Sequence, residues 1–153
     1  MGTINSTRLD GELLYQIISQ RPDYSFVFTG PEDDIFRRDR IHSLKNAYFT
    51  GQKKVDELPA YIAAYDVCIN PQMVNKITNG NYPLKIDEYL AMGKPTVATS
   101  THTMRNIFTG HTHLAINPEE WLAAIDRAVT EADDKELAKQ RIAFAETHSW
   151  GIV

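Results

Sequence analysis

At 153 residues the chain is long enough for one domain with a real core. Its 42% hydrophobic and 24% charged residues are ordinary for a soluble globule, and a net charge of −4 argues against a surface built for nucleic acid. No apolar run reaches membrane-spanning length, the opening MGTINSTRLD lacks the apolar core of a signal peptide, and the single cysteine excludes an internal disulfide and suits a reducing compartment.

Strand and helix alternate along the chain. Thr3-Ile4 reads as the stub of a first strand. Leu13, Leu14, Ile17 and Ile18 repeat at helical spacing, and Pro22 ends that helix. Ser25–Thr29 reads as a strand closed by Gly30-Pro31, followed by a polar helix over Ile35–Ser43. Ala47-Tyr48-Phe49 reads as a third strand, ended by Gly51. Asp56 is placed to cap a helix carrying Leu58, Ile62 and Tyr65, and Val67-Cys68-Ile69 is a fourth strand that buries its thiol. The connection from Pro71 to Tyr82 is long for an α/β fold, and long loops tend to be functional.

The segment YPLKIDEYLAMGKPTVAT then reads as loop, helix, tight turn and buried strand. Pro83 fits the first helical turn, where its missing N–H costs nothing, and Gly93 fits the position past the helix end that needs φ > 0. Thr96–Thr99 is short and β-prone, as a covered parallel strand is. His113–Ile116 reads as a sixth strand. Asn117 and Glu120 then form a capping-box start to a helix with the apolar stripe Trp121, Leu122, Ile125, Ala128 and Val129. A last helix spans Asp134 to Thr147. The expectation is one α/β domain over residues 1–153, Rossmann-like, with a parallel sheet and helices on both faces. Ligands of such sheets bind beyond the C-terminal strand ends. That rule gathers Gly2, Thr3, Gly30, Gly51, Gln52, the Asn70–Tyr82 loop and the Pro83 helix on one rim.

Lys85 and Glu88 lie three apart on one helix face. A cation in the first turn opposes the helix dipole, which makes sense if an anion such as a phosphate sits there, with Glu88 accepting from two sugar hydroxyls. The same pair also reads as a solvated ion pair.

PLKIDEYLAMGKPTVAT resembles the donor-binding signature of GT-B glycosyltransferases of group 1, or family 4. MGTINSTRLDGELLYQIISQRPDYSFVFTGP resembles the opening of that family's C-terminal domain, and NAYFTGQKKVDELPAYIAAYDVCINP its middle. The order and spacing of these motifs match over nearly the whole chain. One departure stands out: many members carry two glutamates separated by seven residues. Glu88 matches the second, and the first falls on Gly80.

The resemblance implies a retaining transfer of a sugar from a nucleotide diphosphate sugar to a hydroxyl of a glycan or lipid-linked acceptor. It implies that Glu88 holds the ribose and Lys85 neutralises the diphosphate. The Pro83 helix start adds backbone donors, and the backbone of Thr78, Gly80 and Asn81 approaches the phosphate or donor sugar. It implies no metal and no cofactor and an N-terminal acceptor domain outside this chain; the net charge of −4 adds the expectation of no nucleic-acid partner. The full enzyme is expected in the cytoplasm, at the inner face of the membrane by peripheral association, and the chain is expected to be an inactive fragment on its own. No catalytic residue is assigned. A non-catalytic nucleotide-binding or protein-interaction module and a nucleotide-sugar epimerase domain are the alternatives. His102, His111, His113 and His148 show no metal-ligand spacing, and neither a G-x-S-x-G nor a G-x-G-x-x-G motif occurs.

Overall fold

A computed structural model describes residues 9–75, 79 and 84–149. The Thr3-Ile4 stub lies outside them. Helix α1 (Gly11–Gln20) starts at Asp10, whose carboxylate accepts the Leu13 N–H at 3.1 Å. Strand β1 (Phe26–Thr29) pairs in parallel with β2 (Ala47–Gly51). Strand β3 (Cys68–Asn70) pairs in parallel with β4 (Thr96–Thr99), which pairs in parallel with β5 (His113–Ala115). The described strands thus form two parallel sheets, β1-β2 and β3-β4-β5.

The helices differ from expectation at three places. The polar helix after β1 is broken into α2 (Asp34–Arg37) and a 3-10 turn, Arg40–Ser43. The Asp39 carboxylate takes the Ile41 N–H at 3.0 Å and starts the chain afresh there. Asp56 does not cap a helix. It sits inside a 3-10 turn, Val55–Glu57, that leads directly into α3 (Leu58–Ala64), and the Glu57 carboxylate accepts the Lys54 N–H at 3.2 Å. After β4 comes a helix that no stripe announced, α5 (His102–Ile107), begun by Thr101, whose hydroxyl accepts the Met104 N–H at 3.2 Å. The others fall where periodicity and caps place them: α4 (Leu84–Ala91), α6 (Pro118–Thr130) with its Asn117/Glu120 capping box, and α7 (Lys135–Ser149).

The β3-β4-β5 sheet is covered on both faces, whereas Val27 of β1 and Tyr48 of β2 stay exposed. Along β4, Val97 joins a core with Leu14, Ile17 and Ile18 of α1 and Trp121 and Ile125 of α6. Its neighbour Ala98 points into a second core with Ile62 of α3, Ile86 and Leu90 of α4, Met104 and Ala145. This period-two alternation on a strand buried at every residue is what a doubly covered parallel sheet requires. Cys68 packs in the second core, and burial pushes its thiol up to about 12, so it is an inert core residue.

A surface clamp joins α1 to α6. The Arg21 guanidinium meets Asp126 twice, Nε to Oδ1 at 2.9 Å and Nη2 to Oδ2 at 2.7 Å, and the Tyr24 hydroxyl donates to Oδ1 at 2.9 Å. The Arg21 hydrogen bond chiefly holds the Asp126 carboxyl below its ordinary range. A depressed folded-state pKa gives stability that is present above the unfolded carboxyl's ~3.9 and lost as pH falls through the lower, folded value. Asp126→Asn should therefore lower the urea midpoint modestly at neutral pH, and its deficit should vanish in strong acid. A deficit that persists unchanged there would show that Asp126 acts by packing alone.

Candidate functional site

Helix α4 buries Ile86, Asp87, Tyr89 and Leu90, leaving Lys85 half-buried and Glu88 exposed. Burial pushes the Tyr89 hydroxyl up, as befits an aromatic wedge between layers. The helix ends as its glycine requires. Gly93 has φ +74°, its N–H donates to the Leu90 carbonyl at 2.9 Å, and the Lys94 N–H reaches the Tyr89 carbonyl at 3.1 Å. A Cβ there would lie 3.1 Å from the Ala138 Cβ of α7, so packing demands glycine a second time. β4 then carries the chain back to the rim.

At the rim, Gly30 and Gly51 lie side by side. The Gly30 N–H donates to the Gly51 carbonyl at 3.1 Å, and both have positive φ, 138° and 76°. Gln52 follows, exposed. The Thr99 hydroxyl accepts the Gln72 N–H at 2.7 Å and so fixes the start of the long loop to the end of β4. Asn79 fixes the loop further along: its Oδ1 accepts the His102 N–H at 2.6 Å, and its carbonyl accepts from the Thr103 hydroxyl at 3.1 Å. Thr99, Thr101, Asn79 and His102 are rim residues whose hydrogen bonds the sequence did not reveal, though Asn79 lies in the long loop placed on the rim. Only Thr101 carried a local signal, as a helix cap three residues before Met104. Thr78, Gly80, Asn81, Pro83, Gly2 and Thr3 lie outside the described residues.

Lys85 lines a trough of about 620 Å³ between β1 and β3, together with Leu9, Asn70 and Pro71. The position suits a cation at the C-terminal strand ends. Two of the histidines have structural partners: His111 stacks on Phe144 with centroids 3.7 Å apart, and His113 Nε2 lies 3.0 Å from Glu131 Oε1. Lys53 lies 5.8 Å over the Tyr61 ring. Among the described residues no three His, Cys, Asp or Glu side chains converge as a metal site, and no helix is long and apolar enough to cross a membrane.

The family model for glycosyl transferases group 1 matches residues 12–131. The chain is 28% identical over 152 residues to TuaH of Bacillus subtilis (strain 168), named for a teichuronic acid biosynthesis glycosyltransferase, spanning 95% of this chain and 38% of TuaH. Its fold superposes on the crystal structure of AviGT4, a glycosyltransferase involved in avilamycin A biosynthesis, with a TM-score of 0.63 at 15% identity, over 97% of this chain and 48% of that one. The chain thus spans less than half the length of either. With the matched segment running from α1 through α6 and the fold agreeing, the chain belongs to the group 1 glycosyltransferases, and its α/β architecture is that of a GT-B half.

Proposed function

We propose that this chain is the donor half of a retaining glycosyltransferase, holding a nucleotide diphosphate sugar while a sugar passes to an acceptor hydroxyl. One observation carries the reading: Lys85 and Glu88 stand one turn apart on α4, off its buried side, with Lys85 beside the C-terminal end of β3. Lys85 there offsets diphosphate charge, and Glu88, being exposed, is free to accept from ribose hydroxyls. The paired glycines Gly30 and Gly51, with Gln52 beside them, leave the backbone open to a flat ligand at the far side of the rim. The backbone of Thr78, Gly80 and Asn81, the helix start at Pro83, and Gly2-Thr3 complete the donor site.

The acceptor, a glycan or lipid-linked glycan, and the rest of the catalytic apparatus belong to an N-terminal GT-B domain. The complete enzyme works in the cytoplasm at the membrane's inner face, without metal or cofactor. The 153 residues alone bind donor weakly and transfer no sugar, because holding donor and acceptor in register takes both walls of the cleft.

Calorimetry with UDP, GDP, dTDP and ADP tests this. One of the four should bind, and Lys85→Ala should weaken the diphosphate more than the matching nucleoside, by a charge-assisted contact of roughly 1.5–3 kcal/mol. No heat with any of the four at millimolar concentration would sink the reading.

A further inference from the structure

The turn after β1 carries a charged contact that the donor reading leaves unused. Glu32 lies two residues past Gly30, and its side chain is 12% exposed. His42 Nε2 meets Glu32 Oε2 at 2.7 Å. A carboxylate so far withdrawn from water is costly unless it is paired and hydrogen-bonded. Facing an ionised carboxylate, Nε2 must carry the proton and donate it.

His42 comes to that contact already aligned. It sits in the 3-10 turn Arg40–Ser43, where its N–H donates to the Asp39 carbonyl at 3.2 Å. Its ring stacks on Phe49 of β2 with centroids 3.8 Å apart, and Phe49 stacks on Phe28 of β1 at 5.0 Å. One side chain thus links the 3-10 turn, β2 and the turn after β1. The neighbouring cations have other partners. Arg37 of α2 gives Nη1 to Asp34 at 2.8 Å and Nη2 to the Glu32 carbonyl at 3.1 Å, and Arg40 pairs with Glu12 of α1.

The strand register breaks just beyond the column of rings. Phe28 faces Phe49, but Thr29 faces Gly51, so Thr50 is the extra residue of a bulge. The bulge sets Gly51 beside Gly30, whose N–H reaches its carbonyl at 3.1 Å. Gly30 has φ 138°, which glycine alone takes easily, and so it is the soft point between β1 and Pro31-Glu32. Without His42, the Glu32 carboxylate gains water by swinging out about Gly30, and that motion disturbs the two glycines.

We infer that His42 is a positioning residue of the donor site: by holding Glu32 it fixes the turn from Gly30 to Glu32 and keeps the Gly30/Gly51 edge of the rim in the shape that receives a flat ligand. The inference rests on the donor reading above, which gives that edge its ligand. His42 acts through Glu32 and needs no contact with the nucleotide.

Two variants separate the hydrogen bond from the stack. His42→Phe keeps a ring on Phe49 and loses the N–H; His42→Gln keeps an N–H near the Nε2 position and loses the ring. In the free chain, the Gly30 amide should exchange roughly 10-fold or more faster in His42→Phe than in wild type, with His42→Gln close to wild type. In calorimetry with UDP, GDP, dTDP and ADP, the nucleotide that binds should lose about 3- to 20-fold in affinity in His42→Phe and regain most of it in His42→Gln. An affinity that His42→Phe leaves unchanged overturns the inference, even where its urea midpoint falls, because the contact then serves stability alone. Equal losses in the two variants assign the effect to the stack and overturn it as well. If wild type binds none of the four nucleotides, the donor reading itself fails, and the Gly30 exchange rates alone decide whether His42 holds the turn.

Discussion

Glu88→Ala should weaken nucleoside diphosphate binding roughly 10- to 100-fold while leaving free pyrophosphate untouched, because it removes a charge-assisted hydrogen bond worth about 1.5–3 kcal/mol. The asymmetry follows from the placing of the two charges on α4. Lys85 is half-buried at the trough mouth, whereas Glu88 is exposed one turn deeper. Their ligand partners, diphosphate and ribose, are then distinct. An exposed side chain with no role in the core also makes the variant safe to interpret, since surface changes away from caps and networks stay within about 0.5 kcal/mol of stability. Glu88→Gln keeps an acceptor but loses the charge, and should fall between wild type and alanine. The measurement is a titration of each variant with diphosphate, nucleoside and pyrophosphate. An equal loss for all three would mean that the substitution disturbs α4 itself, and a loss confined to pyrophosphate would reverse the assigned roles.

How much of this was legible in the sequence depends on how local its causes are. The helix–turn–strand of α4, Gly93 and β4 could be read because each signal lies within a few residues: a proline suited to a first turn, a glycine at the helix end, a β-prone run. The Asn117/Glu120 capping box was legible for the same reason. The α2 helix is shorter than the sequence suggests because Asp39, two residues past its last residue Arg37, gives its carboxylate to a new turn instead. Asp56 looked like a cap, but Glu57 holds the Lys54 N–H. Helix α5 escaped notice because its six residues carry only one fully buried side chain, Met104, and so no stripe. Lys85 and Glu88 could be paired by spacing alone. Which end of the long loop is fixed could not, because Gln72 and Asn79 find their partners in Thr99, His102 and Thr103, more than twenty residues away. The trough is likewise a fact of topology and leaves no mark on any single segment.

Arg141→Ala should cost about 2–3 kcal/mol of stability, the toll of stripping one partner from a largely buried charged network. Arg141 is 6% exposed; its Nη1 donates to the Gly93 carbonyl at 3.1 Å and its Nη2 to Glu131 Oε1 at 2.9 Å. That one guanidinium therefore ties α7 to the turn after α4 and to the end of α6. Its loss leaves a buried carbonyl unpaired, while Glu131 keeps His113 at 3.0 Å and some water, which holds the cost below that of a fully enclosed pair. Gly93→Ala strikes the same junction differently, through a left-handed φ of 74° and a Cβ 3.1 Å from Ala138, and should cost about 1–2 kcal/mol. Because both substitutions loosen one contact between the turn and α7, their double variant should lose less than the two separate losses combined. Urea midpoints of the four proteins give the answer. Strict additivity would mean that Arg141 and Gly93 act independently, and a loss under about 0.5 kcal/mol for Arg141→Ala would place the guanidinium among ordinary surface charges. The direction matters for the site as well. α4 packs on α7, so an α7 set loose should blunt nucleotide binding through Lys85 and Glu88 without either side chain being touched.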